Sequence, residues 1–326
     1  MNCVRWGILG TARINRRLIP ALRAAARSEL VAVASRERDR GETYARSWAI
    51  PHSTGSYQEL LDDDRIDAVY IPLPNSEHVR WTLAAIEAGK HVLCEKPLAL
   101  DVADVDRLAG AAAARGVIVE EGFMYTHEPL TRRVLSLVAD GAVGAVRAIT
   151  SGFTFAIARP DDVRLDPELG GGSLWDIGCY PVTYAQLIVG KEPTRVAAHA
   201  QWSARGIDEE LTGIVTFAGG ATLSFYSGFR APYRTWLEIL GTEGALRVPN
   251  PFKPGITEIL ELERANGAEL IDVAGSTLLF QREVEDFIAS VLDRASPLIP
   301  LTESRRTVAT LAALYIAARA DGNVVI

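Results

Sequence analysis

Up to residue 121, short apolar runs alternate with longer stretches of helical periodicity. Apolar runs of about four to eight residues bounded by turn residues are typical of buried strands. Apolar positions spaced three and four apart are typical of helices that cover such strands. The pattern predicts helices at 12–27, 77–88 and 101–115, and strands at 5–9, 29–35, 67–73, 91–95 and 117–121. This alternation is typical of βαβ units and therefore of a parallel sheet.

Residues at the ends of these helices support the assignment. Gly89 and Gly116 follow the second and third helices, where glycine commonly ends a helix because it tolerates a left-handed backbone. Asp101 precedes the third helix and is a predicted N-cap, since its carboxylate can accept a hydrogen bond from a free backbone N–H. The second and third helices are therefore well defined at these ends.

Beyond residue 125 the pattern becomes dominated by strands. It predicts a long strand at 143–157, further strands between 195 and 262, and helices at 128–140, 283–293 and 305–319. Runs of strands after a βα half indicate a separate α+β domain with a large, mostly antiparallel open sheet. The predicted fold class is α/β, with a doubly wound first domain at 1–122 and a second domain at 123–326.

The long predicted strand at 143–157 has two different faces. One face carries the large apolar side chains of Ile149, Phe153, Phe155 and Ile157. The other carries the small, uncharged residues Ala148, Thr150, Gly152 and Thr154. A freely solvated face more often carries charges, so we expect this face to pack on a second copy in a homodimer or higher homo-oligomer. A face simply wetted by threonine and alanine is the alternative.

Length and composition narrow the class of protein. At ~150 residues per domain, a chain of 326 residues makes about two domains. The net charge is −7, from 34 basic and 41 acidic residues that are interspersed, which argues against a nucleic-acid partner. No apolar run is long enough to span a membrane, and the first strand leaves no room for a signal peptide. We therefore expect a cytoplasmic protein.

The cysteines and histidines indicate neither a disulfide bond nor a metal site. The three cysteines are far apart and form no C-x-x-C pair, so no disulfide framework is indicated. The five histidines do not have the spacing of metal ligands. We therefore predict no metal site.

The turn after the first strand lies on the register of a dinucleotide-binding G-x-G-x-x-G motif. Only the first glycine is kept, and Asn15 stands where the third would be. The turn follows a strand and opens a helix, which is where a pyrophosphate binds backbone N–H groups in a Rossmann unit. An ordinary tight turn is the alternative. The predicted phosphate-binding residues are Gly10, Thr11, Ala12, Arg13 and Ile14.

The end of the second strand indicates which cofactor is bound. An NAD site usually has Asp or Glu there to hold the ribose hydroxyls. Here the strand ends in Ser35 and Arg36, a hydroxyl and a guanidinium that suit a 2′-phosphate. The sequence therefore favours NADP, with NAD as the alternative. Arg38 and Arg40, which alternate with acidic residues, are interpreted as solvated.

Lys96 follows the predicted strand at 91–95 and precedes Pro97 and a capped helix. The carboxyl ends of parallel strands line the crevice in which such sheets bind ligands. A structural lysine would lie more naturally on an outer helix face. Lys96 is therefore a candidate for contact with the bound ligands.

Segments on both sides of Lys96 closely resemble the glucose–fructose oxidoreductase / inositol dehydrogenase family. The matching segments are PNSEH at 74–78, GKHVLCEKP at 89–97, EGFMY at 121–125, GGGSLWDIGCYP at 170–181 and GTEGAL at 241–246. The resemblance extends from about residue 4 to the last helix. It implies a Rossmann domain followed by a substrate-binding domain, and it is much less specific for the substrate.

The resemblance also assigns residues to the cofactor site. In that family the lysine of the E-K-P segment, here Lys96, contacts the nicotinamide ribose and the reacting oxygen. The proline of that segment commonly follows a cis bond, so we expect a cis Lys96–Pro97 peptide. Residues expected to line the cofactor are Pro72, Leu73, Asn75, His78 and Glu95.

Asp176 and Tyr180 lie four residues apart in the predicted helix after the glycine triplet, so they share a face. The family more often has histidine at the second position, and several of its reductases use a tyrosine there as the acid. Reduction of a carbonyl carbon leaves charge on oxygen that a nearby donor must protonate. We predict that Tyr180 is this acid, that Lys96 brings its pKa toward working pH, and that Asp176 orients Lys96 or binds substrate. Structural roles for Tyr180 and Asp176 are the alternative.

Contacts with the substrate are less sharply indicated. Trp175 is expected either to stack on a sugar face or to lie in the core. Arg164 is expected to reach hydroxyls or a phosphate, or to be solvated, and Tyr125 belongs to the resembling segment. Many family members have an arginine and then histidines after that tyrosine. Here Thr126, His127 and Glu128 follow it, so those family contacts do not transfer.

We therefore predict an NADP-dependent oxidoreductase acting on a carbonyl or hydroxyl carbon of a small, sugar-like molecule or cyclic polyol. One alternative is redox-neutral chemistry with a permanently held NAD, as in the glycosidases of the family. The other is a dinucleotide-sensing regulator without catalysis. Lys96 together with Tyr180 favours an enzyme over a regulator.

Overall fold

The computed structural model describes residues 2–320 and 322–326, which form two compact units. The first unit extends to Met124 and includes Leu278–Ser304. The second comprises Tyr125–Thr277 and resumes at Arg305.

The first unit contains a parallel six-stranded sheet of the predicted kind. Its strands are β1 (Val4–Leu9), β2 (Ser28–Ala34), β3 (His52–Thr54), β4 (Ala68–Ile71), β5 (His91–Glu95) and β6 (Val119–Gly122). The spatial order is β3-β2-β1-β4-β5-β6, with every pair parallel. The order reverses direction at β1, and such switch points create the crevice in which open α/β sheets bind ligands.

The helices of this part of the first unit begin and end at residues with clear physical signals. They are α1 (Asn15–Ala24), α2 (Arg38–Ser47), α3 (Tyr57–Leu61), α4 (Asn75–Glu87) and α5 (Val102–Arg115). Asp101 accepts a hydrogen bond from the Ala103 backbone N–H at 2.7 Å, as its predicted capping role requires. Gly89 and Gly116 adopt the expected positive φ of 72° and 65°. The short elements β3, α2 and α3 add to the predicted pattern.

The second unit is built on a nine-stranded sheet. Its strands are β7 (Val146–Thr154), β8 (Pro193–Trp202), β9 (Asp208–Phe217), β10 (Thr222–Gly228), β11 (Arg234–Gly241), β12 (Gly244–Val248), β13 (Thr257–Arg264), β14 (Gly267–Ala274) and β15 (Asn323–Val325). The order is β14-β13-β12-β11-β7-β10-β9-β8-β15. Only β10 and β7 pair in parallel among the described strands of this sheet, so it is mostly antiparallel as predicted.

Two helices of this unit precede most of its strands. They are α6 (Pro129–Ala139) and α7 (Cys179–Val189). One wide π-helical turn at Leu174–Gly178 leads directly into α7. The sequence predicts a single regular helix here. A Cβ at Gly178 would lie 2.8 Å from Leu174 Cδ1 and 3.2 Å from Ser227 Oγ, so the glycine lets the turn pass close to these side chains. Such π turns are often found at functional sites.

The chain returns to the first unit after the second sheet, through α8 (Gln281–Leu292). The predicted second domain includes all of residues 123–326, because periodicity identifies a helix without showing which sheet it covers. The apolar face of α8 packs Phe287 on Trp6 of β1, with ring centroids 5.1 Å apart. Asp293, just beyond α8, pairs with Arg27 at 2.7 Å. The last helix is α9 (Leu301–Ala320).

The two faces of the second sheet differ. Ile149 and Phe153 of β7 are buried as predicted. On the opposite face Thr150 is exposed, whereas Gly152 and Thr154 are buried. Across that open face, however, Arg247 of β12 bonds Glu238 at 2.9 Å and Glu261 at 3.3 Å. The open face therefore carries an ion-pair network across β11, β12 and β13.

No helix within 2–320 and 322–326 has the length and apolar character needed to cross a membrane.

Candidate functional site

The turn between β1 and α1 is closed by Asn15, the residue that replaces the third glycine of the motif. Its side-chain amide donates to the Gly10 carbonyl at 2.9 Å, and the residue is fully buried. Gly10 has a φ of 105°, and a Cβ there would lie 3.0 Å from Leu73 Cδ2. Because Gly10 has no side chain, its backbone allows the close approach that a dinucleotide pyrophosphate requires.

The other predicted residues of this turn surround the start of α1. Ile14 precedes the helix and its side chain provides no cap for the first backbone N–H groups. Free N–H groups at a helix N-terminus bind anions, because they donate hydrogen bonds and carry the positive end of the helix dipole. Arg13 is exposed beside them, and Thr11 and Ala12 are half-buried. The turn thus fits a dinucleotide phosphate.

The end of β2 carries two of the predicted 2′-phosphate residues. Ser35 is buried and its Oγ accepts a hydrogen bond from the Glu37 backbone N–H at 3.3 Å. Arg36 is exposed. Ser35 therefore shapes the turn with its oxygen, and Arg36 offers a guanidinium at its edge.

Arg40, interpreted as solvated from the sequence, belongs to the same region as Arg36. Burial raises the pKa of Tyr57, and the Arg36 and Arg40 guanidiniums oppose that shift. The Tyr57 hydroxyl is also the second atom that a Cβ at Gly10 would approach, at 3.5 Å. Arg40 is exposed, as its solvated interpretation predicts, and its charge acts on Tyr57 beside the phosphate turn. Arg38 instead pairs with Glu59 at 3.6 Å on the surface, as its solvated interpretation predicts.

His78 joins the loops that follow β4 and β5. Its Nε2 lies 2.8 Å from the Leu73 carbonyl and its Nδ1 lies 2.7 Å from the Pro97 carbonyl. The ring is fully buried, and burial lowers its pKa. The side chain therefore holds these two loops together from within, whereas the resemblance implied direct contact with the cofactor. Pro72 is buried, and Asn75 begins α4 half-buried beside this loop.

Lys96 follows β5 in the predicted cis Lys96–Pro97 segment. It is half-buried, and the preceding Glu95 accepts a hydrogen bond from the Tyr70 hydroxyl at 2.6 Å. Burial raises the pKa of Glu121, and the Lys96 ammonium opposes this shift. Glu121 also accepts the Leu98 backbone N–H at 2.8 Å, so it supports the loop that presents Lys96. Sequence reasoning missed this role, although a glutamate inside a buried strand is its signal.

In the second unit, Asp176 and Arg164 form an ion pair. Arg164 Nε donates to Asp176 Oδ2 at 2.8 Å, and its Nη1 donates to Asp162 Oδ1 at 3.1 Å. Asp176 and then Asp162 raise the pKa of Arg164. Asp176 is predicted to orient Lys96 or to bind substrate, and Arg164 is one direct partner of its carboxylate. The guanidinium charge is shared between two carboxylates.

Tyr180 lies in the first turn of α7 among aromatic rings. Its ring stacks on Tyr125 with centroids 5.5 Å apart. Phe153 and Phe252 contact it nearly edge-on, at 5.3 Å and 5.4 Å. The Tyr125 hydroxyl donates to the Tyr180 carbonyl at 3.1 Å, and Tyr125 is fully buried. Packing on several sides confines the Tyr180 ring to one orientation, and Tyr125 acts as its support.

Trp175 and the segment after Tyr125 lie in the interior. The Trp175 ring is 9 % exposed and stacks on Tyr315, with centroids 5.6 Å apart. This packing is typical of a core aromatic, which is one of the two roles expected for Trp175. Thr126, His127 and Glu128 are all buried, and a Glu128 carboxylate oxygen accepts the Ser276 backbone N–H at 3.2 Å.

The described residues hold no group of three or more His, Cys, Asp or Glu side chains placed to bind a metal ion.

A glycine-opened phosphate turn in a parallel sheet, with a lysine at a strand end, defines a dinucleotide-binding protein of the Rossmann class. Residues 4–123 match the model of the oxidoreductase family GFO_IDH_MocA with its NAD-binding Rossmann fold, and residues 131–247 match the GFO/IDH/MocA C-terminal domain. The chain belongs to this family of oxidoreductases, as its sequence segments indicated.

Several relatives align over nearly the whole chain. D-xylose 1-dehydrogenase (NADP(+)) 2 from Haloferax volcanii is 37% identical over 322 residues, covering 98% of each chain. A 3-ketoreductase from Actinomadura kijaniata, solved with NADP and TDP-benzene, is 32% identical with a TM-score of 0.91, covering 97% of this chain and 98% of that one. Aldose-aldose oxidoreductase from Caulobacter crescentus, solved with glycerol, is 26% identical with a TM-score of 0.92, covering 99% and 100%.

Proposed function

We propose that this protein is an NADP-dependent oxidoreductase that transfers hydride between the nicotinamide and a carbonyl or hydroxyl carbon of an uncharged sugar or cyclic polyol. The observation that carries the proposal is Tyr180, held by Tyr125, Phe153 and Phe252 at the start of α7 in a chain whose other unit has the dinucleotide turn. The named activities of the xylose dehydrogenase and the 3-ketoreductase support this class of reaction.

The proposed roles follow from the charge that the reaction creates. A bound nicotinamide supplies or accepts the hydride. Tyr180 donates its hydroxyl proton to the oxygen of the carbonyl being reduced, and it accepts that proton in the reverse direction. Lys96 stabilises the phenolate form of Tyr180, since a nearby positive charge favours the anion. Asp176, paired with Arg164, orients substrate hydroxyls.

A solved relative supports the choice of these two residues. Structures of the Actinomadura 3-ketoreductase include variants substituted at one lysine and at one tyrosine. The separation of that lysine and tyrosine along their chain equals the separation of Lys96 and Tyr180 here.

The groups around Arg164 favour an uncharged substrate. Arg164 bonds carboxylate oxygens of Asp162 and Asp176. Neutral hydroxyls can donate to these carboxylates and accept from the guanidinium, whereas an ionised phosphate or carboxylate offers acceptors only. We therefore expect higher kcat/KM for neutral aldoses than for their phosphate esters.

Substitution Tyr180→Phe tests the catalytic role. We expect kcat to fall by roughly 10²–10⁴-fold, the usual effect of losing a general acid, while the Kd for NADPH stays unchanged. The value of kcat is measured with a panel of neutral aldoses, polyols and sugar phosphates, and the Kd for NADPH by fluorescence titration. Tyr184→Phe is the matched control, because Tyr184 lies one turn later in α7 and also packs on Tyr125 and Phe252. An unchanged kcat in Tyr180→Phe would contradict the assignment.

Substitution Arg36→Ala tests the choice of cofactor. Loss of charge-assisted hydrogen bonds to a 2′-phosphate is expected to weaken NADPH binding roughly 10- to 100-fold and to leave NADH binding nearly unchanged. Arg40→Ala is expected to act in the same direction. Arg38→Ala serves as the control, since Arg38 pairs with Glu59. Fluorescence titration measures these constants, and tighter binding of NADH than NADPH by the wild type would refute the role of Arg36.

A further inference from the structure

A buried carboxylate lies beneath the glycine triplet of the second unit. Asp208, the first residue of β9, has no exposed surface. Its Oδ2 accepts the Ser173 hydroxyl at 2.7 Å and the Leu174 backbone N–H, also at 2.7 Å. Its Oδ1 accepts the Tyr315 hydroxyl of α9. Asp208 therefore connects the start of the π-helical turn to a strand and a helix that are far away in sequence.

The backbone of the triplet is shaped around this carboxylate. Gly172 has a φ of 120°, a conformation that side chains rarely allow. A Cβ at Gly172 would collide with Asp208 Oδ1 and with the Tyr315 hydroxyl. The Ser173 hydroxyl also lies 3.0 Å from Ser227 Oγ. The glycine thus allows the chain to pass close enough for Ser173 and Leu174 to reach Asp208.

The bonded segment leads directly to the proposed catalytic residues. Leu174 opens the π-helical turn that contains Asp176 and continues into α7, where Tyr180 lies in the first turn. No side chain among the described residues caps α7 itself, because the turn runs into it without a break. An anionic acceptor at the start of a helical segment is stabilising, and here it also holds the position of the first backbone N–H.

We propose that Asp208 is a positioning residue that fixes the π-helical turn through Leu174 N–H and Ser173, and so sets the placement of Asp176 and Tyr180. This inference rests on the proposed function. Reacting groups displaced by about 1 Å can lose roughly 100-fold in rate, so a tether of this kind affects catalysis without touching the substrate.

Two substitutions at Asp208 test the proposal. Asp208→Ala removes all three acceptor contacts, and we expect kcat for each NADPH-binding site to fall roughly 10- to 100-fold with the Kd for NADPH unchanged. Asp208→Asn keeps an oxygen for Ser173 and Leu174 and turns its amide toward Tyr315, whose hydroxyl can accept. We therefore expect Asp208→Asn to restore kcat to within about 3-fold of the wild type.

Asp67→Asn provides a matched control. Asp67 is also buried and also accepts a backbone N–H, from Arg5 at 2.9 Å, but it lies at the amino end of β4 in the first unit. Asp67→Asn is expected to lower Tm while leaving kcat per binding site unchanged. Asp208→Ala would give the same result if the role of Asp208 were purely structural. A kcat in Asp208→Ala within about 2-fold of the wild type, measured below its Tm, overturns the positioning role.

A further variant covers the case in which Asp208→Ala does not fold. Ser173→Ala removes one of the two tethers to Oδ2, and we expect a smaller fall in kcat of roughly 3- to 10-fold with unchanged NADPH affinity. No change in kcat there would refute the proposal. Failure of the proposed function gives a different result from failure of the positioning role. If the proposed function is wrong, Tyr180→Phe keeps the kcat of the wild type, whatever the effect of the substitutions at Asp208.

Discussion

Three buried carboxyl groups show how the surroundings of a residue set its behaviour. Burial alone would raise the pKa of Asp67, but hydrogen bonds from the Arg5 guanidinium outweigh it and the pKa is lowered. Burial raises the pKa of Asp208 to about 6, because its partners Tyr315, Ser173 and Leu174 N–H are uncharged donors. Burial also raises the pKa of Glu121, and the hydrogen bonds from Ser304 and Leu98 and the charge of Lys96 oppose this shift without outweighing it.

Stability should depend on pH through Asp208. Its pKa of about 6 in the folded chain exceeds its ordinary value of 3.8, so between these values the folded state binds the extra proton. The free energy of unfolding of the wild type, relative to Asp208→Asn, therefore falls as pH rises from 4 to 6, by about 3 kcal/mol in all. Tyr315 is the titratable side chain that bonds Asp208, and Arg319 acts on Tyr315.

Urea unfolding of the two proteins at pH 4, 5, 6 and 7 measures this difference. Tyr315 titrates far above this range, because burial and then Asp208 raise its pKa, so it adds no slope of its own. A difference between wild type and Asp208→Asn that stays constant from pH 4 to pH 7 would show that Asp208 keeps an ordinary pKa.

At the scale of elements, turns rather than helices or strands determine the candidate site. The turn after β1 combines a positive φ at Gly10 with the Asn15 amide that closes it. The turn before α7 combines a positive φ at Gly172 with the Asp208 carboxylate beneath it. In both, a glycine lets the backbone approach a neighbouring group and a buried polar side chain fixes the result.

Substitution Gly10→Ala tests the first of these turns. A Cβ at Gly10 adds the strain of positive φ and a 3.0 Å contact with Leu73 Cδ2, so we expect NADPH affinity to fall at least roughly 10-fold. Gly116→Ala is matched to it, because Gly116 also has positive φ but nothing lies within 4 Å of its Cβ position. That control should lose about 1 kcal/mol of stability and keep its NADPH affinity. Equal NADPH affinities in the two variants would exclude a role for the Gly10 turn.

At the scale of the whole molecule, the open face of the second sheet is the feature that the monomer leaves unexplained. Several apolar side chains on this face are exposed, namely Ile214, Leu240, Ile259 and Leu270. They lie on strands from β9 to β14, on both sides of the Arg247 ion-pair network. We propose that this face is the interface of a homodimer, as the small residues along β7 predict.

Substitution Leu240→Glu tests the interface. Leu240 is 51 % exposed, and burying an unpaired carboxylate at an interface costs several kcal/mol, so the dimer should weaken by roughly 100-fold or more. Ile316→Glu is the control, because Ile316 is 57 % exposed on α9, outside this sheet. Sedimentation velocity over a range of concentrations measures both. Dissociation by both substitutions, or by neither, would place the interface elsewhere.

Much of the fold could be predicted because its signals are local. The alternation of apolar runs and helical periodicity predicts the parallel sheet, and Asp101 and Gly116 mark the two ends of α5 with their own chemistry. The π turn before α7 and the return of α8 to the first unit were not predictable. Each involves residues distant in sequence: the π turn passes close to Ser227 at Gly178, and Trp6 packs on Phe287.

The candidate site divides in the same way. The sequence alone determines the chemistry available, since the turn at Gly10 and the segments around Lys96, Asp176 and Tyr180 resemble those of a family of dinucleotide-binding oxidoreductases. Tertiary structure alone decides their partners: Arg164 for Asp176, Tyr125 for Tyr180, and His78 between the loops of β4 and β5. The physical reason is that a side chain's charge and shape are local properties, whereas its burial and hydrogen bonds depend on which distant residues the fold brings to it.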